Sequence, residues 1–398
     1  MQFEIIGVTS WRRRGAVVGA VFAMAAIGLP MLAPGLLARP SMNTEVRSLI
    51  ARDIDPMAAA NGAGGVAVAV RMNGHTLFFN YGFADQVEKR PVTSDVLFNV
   101  GSVRKVFEAT LVAEAVQRGE LSLDDPVNTF VTELQGDYIR HVTIGELATH
   151  TSGLSLPTDH APWPTQHYSL AGFYDALNAY TPHNGEAPGK QHIYSHAGYI
   201  LLQLALERRY GRPIGELIED GVSKPLGLKS TLVPERGADG RAMMSPEFMA
   251  RTVQGYSQSG EPIGLPGDQQ GYFDFSGTGQ MFSTARDLSI LLEACLDDGA
   301  ANPLLRDALQ MTEREAFRIG PQSGQAMGQA MAWETIGTDG PTIVDKPGGL
   351  NNASAYIGLV PERKIGIVIL ANRGDVHPFE AARSTILPAL SRMWVSRL

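Results

Sequence analysis

The sequence predicts an α/β (α+β) chain in which an antiparallel sheet, flanked by terminal helices, carries an inserted, mostly helical domain. Three observations carry this. Strand patterns cluster at the two ends of the chain. They come in pairs joined by short turns, which makes the sheet antiparallel. The stretch between them, Val103 to about Leu305, reads as helix or loop. The sheet part is therefore assigned to residues 43–101 and about 306–398, and the helical part to about 102–305.

Residues 1–38 stand outside this frame. Arg12, Arg13 and Arg14 precede an uncharged apolar stretch from Gly15 to Ala38, the pattern of an export signal. The stretch is long enough to span a bilayer, so a retained anchor is the rival reading. Pro30 and Pro34 interrupt it, and the arginine run also permits twin-arginine export. Either way the mature part is expected outside the cytoplasm, in the periplasm or its equivalent, with membrane contact confined to this segment.

Thr44 to Ala60 has helical spacing. The runs Gly65–Arg71 and His75–Tyr81 are separated by Met72-Asn73-Gly74, and Asn-Gly between β-rich runs is a strong hairpin signal. Near the other end, Ala353–Val360 and Lys364–Ala371 form a second hairpin around Pro361-Glu362-Arg363, and Pro378–Val395 reads as a terminal helix. Leu154–Gln166, Tyr180–Gln191 and Arg236–Gln270 are long loops of the kind that bind ligands or cover sites.

The 398 residues are 44% hydrophobic, enough for a large core and too apolar for a disordered chain. The formal net charge is −8 with no dense basic stripe, which argues against a nucleic-acid partner. The single cysteine, Cys295, excludes an intramolecular disulfide and a cysteine-based metal cluster. In LSILLEACLDDG it reads as a buried core residue. His141, His150, His160, His167, His183 and His192 lack zinc-ligand spacing and read as surface or loop residues. Gly62-Ala63-Gly64-Gly65 precedes a strand, not a helix, which argues against a phosphate loop. Trp163, Tyr168, Phe173 and Tyr174 fit a cleft lining and core packing equally well.

Gly101-Ser102-Val103-Arg104-Lys105 opens a helix running to Gly119, with Ser102 at its start and Lys105 one turn later on the same face. A serine hydroxyl needs a neighbouring base to become a nucleophile, and a lysine at that spacing can supply one. The helix N-terminus adds a positive dipole. Alone, the pattern also fits a capping serine and a solvated lysine. Its company is more specific. Tyr194-Ser195-His196 precedes the apolar helix Ala197–Leu206, and Lys346-Pro347-Gly348-Gly349 lies just ahead of the closing hairpin.

In this order of motifs the chain resembles the serine β-lactamase and penicillin-binding protein superfamily, most closely its class C branch. FNVGSVRKVFEATLVAEAVQRGELSLDDPV is similar to the nucleophile segment, IGELATHTSGL to the helix and turn after it, and IGLVPERKIGIVILANR to the last two strands. The resemblance covers residues 43–398. It implies the β-lactamase/transpeptidase-like fold, Ser102 as acylated nucleophile, Lys105 as its partner and Tyr194 as general base and as the acid that protonates the leaving nitrogen, with Lys105 and Lys346 favouring its phenolate or letting a proton shuttle through it. It implies an oxyanion hole from the N–H groups of Ser102 and Gly349. Lys346, His196 and Gly348 are implied in substrate binding, and Tyr272 and Phe273 in a segment bordering the site. No metal or organic cofactor is implied.

Two residues depart from the family pattern. His196 replaces asparagine, and its imidazole offers donor and acceptor in a different geometry. Pro347 replaces threonine and has neither a hydroxyl nor an N–H. The expected function is hydrolysis of the β-lactam amide of penicillins or cephalosporins by a monomer. A D-alanyl-D-alanine carboxypeptidase or carboxylesterase of the same fold is the first alternative. A catalytically inactive envelope binding or sensor domain is the second.

Overall fold

Asn73 and Gly74 take φ of 53° and 76°, the left-handed pair that a two-residue hairpin turn requires. They join β1 (Gly65–Met72) to β2 (His75–Asp85), in register from Gly65↔Gly82 to Met72↔His75. The computed structural model describes residues 41–59, 64–159, 168–182, 187–268, 280–296, 302–322 and 325–395. The expected export segment, Gly62, Ala63, His160, Trp163, His167, His183, Tyr272 and Phe273 lie outside the described residues.

Seven further strands complete the main sheet. They are β3 (Arg90–Pro91), β4 (Phe317–Gln322), β5 (Gln325–Gln329), β6 (Glu334–Ile336), β7 (Ile343–Leu350), β8 (Ala353–Val360) and β9 (Ile365–Ala371). Their order is β3-β2-β1-β9-β8-β7-β6-β5-β4, and every pairing is antiparallel. The first strand thus lies beside the last, Val66 opposite Ala371. Strands β4 to β6 were not legible as strands. A register shift between Arg318 and Gly320, with φ 100° at Gly320, breaks the period-two pattern there.

Side chains alternate across this sheet. Val66, Val68, Val70, Ile365, Ile367 and Ile369 pack under the helices α1 (Met42–Ala59) and α6 (Leu387–Val395). Ala67, Ala69, Val368 and Leu370 join the larger apolar layer on the other face. That layer includes α5 (Ala285–Leu296), where Cys295 is buried as expected. Phe173 and Tyr174 are core residues, and Tyr168 packs against them in part. The expected terminal helix is three pieces: Pro378–Ala381, a π turn at Ala382–Ile386, and α6.

The middle of the chain holds the helices that carry the motifs: α2 (Arg104–Gln117), α3 (Ile144–Ala148) and α4 (His196–Tyr210). It also holds short strand pairs, Phe98–Asn99 with Phe282–Ser283 and Gly255–Tyr256 with Pro262–Ile263. Helix α2 is buried along most of its length, charged residues included. Arg104 is tolerated there because it donates to Glu108 at 2.6 Å and to Gln203 of α4 at 2.6 Å.

Candidate active site

The chain enters the site through a sharp turn. Gly101 has φ 52°, and a Cβ there would lie 3.0 Å from the backbone N of Gly349, so two backbone segments touch where a side chain would intrude. Ser102 sits within a 3₁₀ turn, Gly101–Val103, immediately before α2. Lys105 follows one turn on, fully buried.

Four of the sequence-derived residues converge. Tyr194 donates its O–H to Ser102 Oγ at 2.6 Å, and Lys105 Nζ lies 3.1 Å from the same oxygen. Lys105 Nζ also lies over the rings of Tyr194 (5.2 Å) and Tyr199 (5.4 Å). Lys346 Nζ lies 4.7 Å from the Tyr194 ring centre and 3.9 Å from Glu334 Oε1.

Burial governs the protonation of this group. It holds the Lys105 amine well below the ordinary lysine value, and the neighbouring Lys346 adds to the shift. Lys346 is lowered too, again first by burial. The Tyr194 phenol is pushed above its ordinary value by burial, which outweighs the Ser102 hydrogen bond. Lys105 and Lys346 flank the phenol, yet desolvation dominates its shift and favours the neutral form, which suits the shuttle better than the phenolate.

Strand β7 frames the opposite wall. It pairs with β8 from Val344 to Leu350, but with β6 only as far as Asp345. Its remaining edge is open on that side, which is where a sheet accepts proline. Pro347 lies opposite Tyr356, on the face away from Lys346 and Gly348. A Cβ on Gly348 would come within 2.2 Å of the Val100 carbonyl oxygen and 3.1 Å of Ser102 N, so this glycine lets the strand press against the nucleophile turn. Gly349 is exposed, with no atom within 4 Å of where its Cβ would stand.

His196 begins α4, whose cap Ser195 accepts the Gly198 N–H at 3.2 Å. Its ring stands perpendicular to Tyr194, centroids 5.4 Å apart. Its backbone N–H donates to Asp159 Oδ1 at 2.5 Å, and its Nδ1 is 3.6 Å from the same oxygen. Asp159 also accepts from Ser195 Oγ at 3.1 Å and from the Leu156 N–H at 2.9 Å. This buried carboxyl occupies the positive end of α4, and burial raises its pKa.

Asp159, Glu334 and His150 were not singled out from the sequence as site residues. Asp159 belongs to the Leu154–Gln166 loop and Glu334 to an illegible strand. His150, read as a surface or loop residue, is fully buried. His192 is half-buried, its Nε2 3.0 Å from Gln329 Oε1. The HTSGL run that includes His150 was the one signal available.

The chain is similar along most of its length to β-lactamases of several bacteria. The β-lactamase of Pseudomonas fluorescens is 28% identical over 358 residues, 83% of this chain and 94% of that protein. The β-lactamase of Yersinia enterocolitica is 28% identical over 381 residues, 87% of this chain and 92% of its own. Among solved structures, the β-lactamase/D-alanine carboxypeptidase of Pseudomonas syringae matches with TM-score 0.74 at 25% identity, covering 86% of this chain and 99% of that one. The class C β-lactamase of Rhodobacter sphaeroides matches with TM-score 0.72 at 26% identity, covering 86% and 99%. With the Beta-lactamase family model matched over residues 50–390, this chain belongs to the Beta-lactamase family.

Proposed function

We propose that this serine hydrolase is a class C-like β-lactamase, opening the amide of penicillins or cephalosporins through an acyl-enzyme on Ser102. The observation that carries the reading is Ser102 Oγ held between the Tyr194 hydroxyl at 2.6 Å and Lys105 Nζ at 3.1 Å. An amine whose pKa burial lowers and a phenol whose pKa burial raises, around one serine hydroxyl, form a base and an acid in the same network. As Oγ attacks the carbonyl carbon, its proton passes to Lys105. The C–N bond then breaks, Tyr194 gives its proton to the departing nitrogen, and the Lys105 ammonium refills the phenol. Water releases the ester by the reverse relay.

The N–H groups of Ser102 and Gly349 are the proposed oxyanion donors. Losing one such donor costs roughly a hundred- to thousandfold in rate. Lys346 faces the substrate carboxylate, His196 contacts the substrate at the mouth of α4, and Gly348 brings the strand close. An extracytoplasmic place of action accords with the arginine-led apolar segment at residues 12–38.

A second reading, a D-alanyl carboxypeptidase, is favoured by a specific observation. Lys346 is already shared with Glu334 at 3.9 Å, and Pro347 brings no hydroxyl to assist it. Solved relatives from Pseudomonas syringae and Burkholderia cenocepacia carry D-alanine carboxypeptidase in their names.

Turnover of a chromogenic cephalosporin by the purified protein, with Ser102→Ala alongside, separates these. Repeated turnover that vanishes in the variant, together with covalent penicillin labelling, supports the β-lactamase. A burst that stalls as a stable acyl-enzyme transfers the case to the peptidase. Undiminished turnover in Ser102→Ala sinks the mechanism.

A further inference from the structure

We infer that His150 is a positioning residue for Tyr194, clamping the irregular segment that carries the phenol. The inference rests on the reading that Tyr194, bonded to Ser102, gives its proton to the departing nitrogen. Residues Gln191–Ser195 belong to no helix or strand, so no ladder of hydrogen bonds fixes Tyr194 before α4 begins. His150 supplies the missing restraint at three successive residues. Its carbonyl oxygen accepts the Ile193 N–H at 2.8 Å. Its ring Nδ1 accepts the Ser195 N–H at 3.2 Å. Between those two bonds the imidazole lies against the Tyr194 ring, centroids 4.3 Å apart and planes tilted by 35°.

The clamp is itself well anchored. The imidazole packs against Tyr199 at 5.0 Å, and the Tyr199 hydroxyl donates to the Ala148 carbonyl at 2.7 Å. His150 holds φ 54°, an uncommon backbone conformation for a residue with a side chain, which persists where the surroundings over-determine it. Its Nε2 is buried with no hydrogen-bond partner among the described residues, so the ring's one bond is the one it accepts at Nδ1. What it offers is an acceptor at Nδ1 and a flat face towards Tyr194.

The acceptor role also fixes the charge. With Nδ1 accepting, the ring hydrogen sits on Nε2, and protonation would set a second N–H against that of Ser195. Burial lowers the pKa of the imidazole, and the neighbouring Lys346, Lys105, His192 and His196 add to the shift. A drift of about 1 Å in the phenol would break its bond to Ser102 and cost roughly a hundredfold in rate.

The test pairs kinetics with tyrosinate absorbance titration, which needs no substrate. His150→Asn keeps a carbonyl acceptor and tolerates the left-handed backbone, but removes the ring. Its kcat is expected to fall roughly ten- to hundredfold with KM within about twofold. Subtracting the titration of the same variant carrying Tyr194→Phe should reveal a freed phenol near its ordinary value of about 10. A kcat within about twofold of the parent, or no freed phenol, overturns the clamp. The parent minus Tyr194→Phe gives a reading even if His150→Asn does not fold. The phenol should stay silent well above 10, and titration near 10 overturns the inference. Should Tyr194→Phe keep the parent's turnover while His150→Asn frees the phenol, the clamp stands and the proposed role of Tyr194 falls.

Discussion

Two adjacent residues of β7, Asp345 and Lys346, look into opposite electrostatic worlds. Asp345 faces the terminal helices. There it accepts two hydrogen bonds from Arg383, each 2.7 Å, and one from the Tyr356 hydroxyl at 2.7 Å. Arg383 also reaches Glu334 at 2.7 Å. Burial pushes the Glu334 carboxyl up, but Lys346 and Arg383 together outweigh it and hold that group below its ordinary value. Lys346 faces the other way, towards Tyr194 and Lys105, where cations and rings crowd together with Glu334 as a loose partner. One cluster pairs its charges and gains rigidity. The other leaves its amines short of counter-charge and gains bases. The tyrosines mark the difference: Tyr356 donates to a carboxylate, Tyr194 to a hydroxyl about to react.

The largest effect should come from the underpaired cluster. Lys105→Met is expected to lower kcat about ten thousandfold, as loss of a base that acts as one unit with its nucleophile does. The same substitution should raise the melting temperature at neutral pH. The lysine's folded pKa lies below its unfolded one, so the unfolded chain binds more protons and folding pays for the difference. The gap between variant and parent should close as pH rises towards the ordinary lysine value. The parent's kcat/KM should fall as acid protonates the amine through that lowered pKa. A variant less stable than the parent at pH 7 would mean that Lys105 belongs with the paired cluster.

Next comes Arg383→Met. Removing one partner of a buried ion pair leaves Asp345 uncompensated and costs about 3–5 kcal/mol, readable from the urea midpoint. Glu334, released from Arg383, should draw Lys346 closer and raise KM for substrates bearing a carboxylate. The smallest effect belongs to Tyr356→Phe, which removes one of three donors to Asp345. About 1–2 kcal/mol of stability should be lost with kcat unchanged. A drop in kcat comparable to that of a Tyr194 variant would erase the distinction drawn between the two faces.

The contrast also explains what could be read in advance. Asn73-Gly74 declared its hairpin because a two-residue turn demands particular backbone angles. The spacing of Ser102 and Lys105 was legible because both lie within one helical turn. Tyr194 and Lys346 were legible through motif order, and the structure brings Tyr194 onto that pair and Lys346 against the Tyr194 ring. Asp159, Glu334 and His150 act through partners distant in sequence, and no local period encodes such a meeting. Strands β4 to β6 were hidden by the irregularity at Gly320. Which form of Tyr194 the fold favours, phenolate or shuttling phenol, was hidden for a related reason: burial is a property of the folded core, whereas counting nearby lysines is not.

The pairing of β1 with β9 has a consequence in time. The central strand β1 waits for a partner, Ile365–Ala371, that is made far later. Until that partner arrives, β1 has one unfilled edge, and joining strands so far apart in sequence must be preceded by a costly loop closure. The wall bearing Lys346 is tied to the same late event, because β7 reaches the rest of the sheet through β8 and β9. A growing chain therefore carries Ser102 and Lys105 long before it can close a pocket around them.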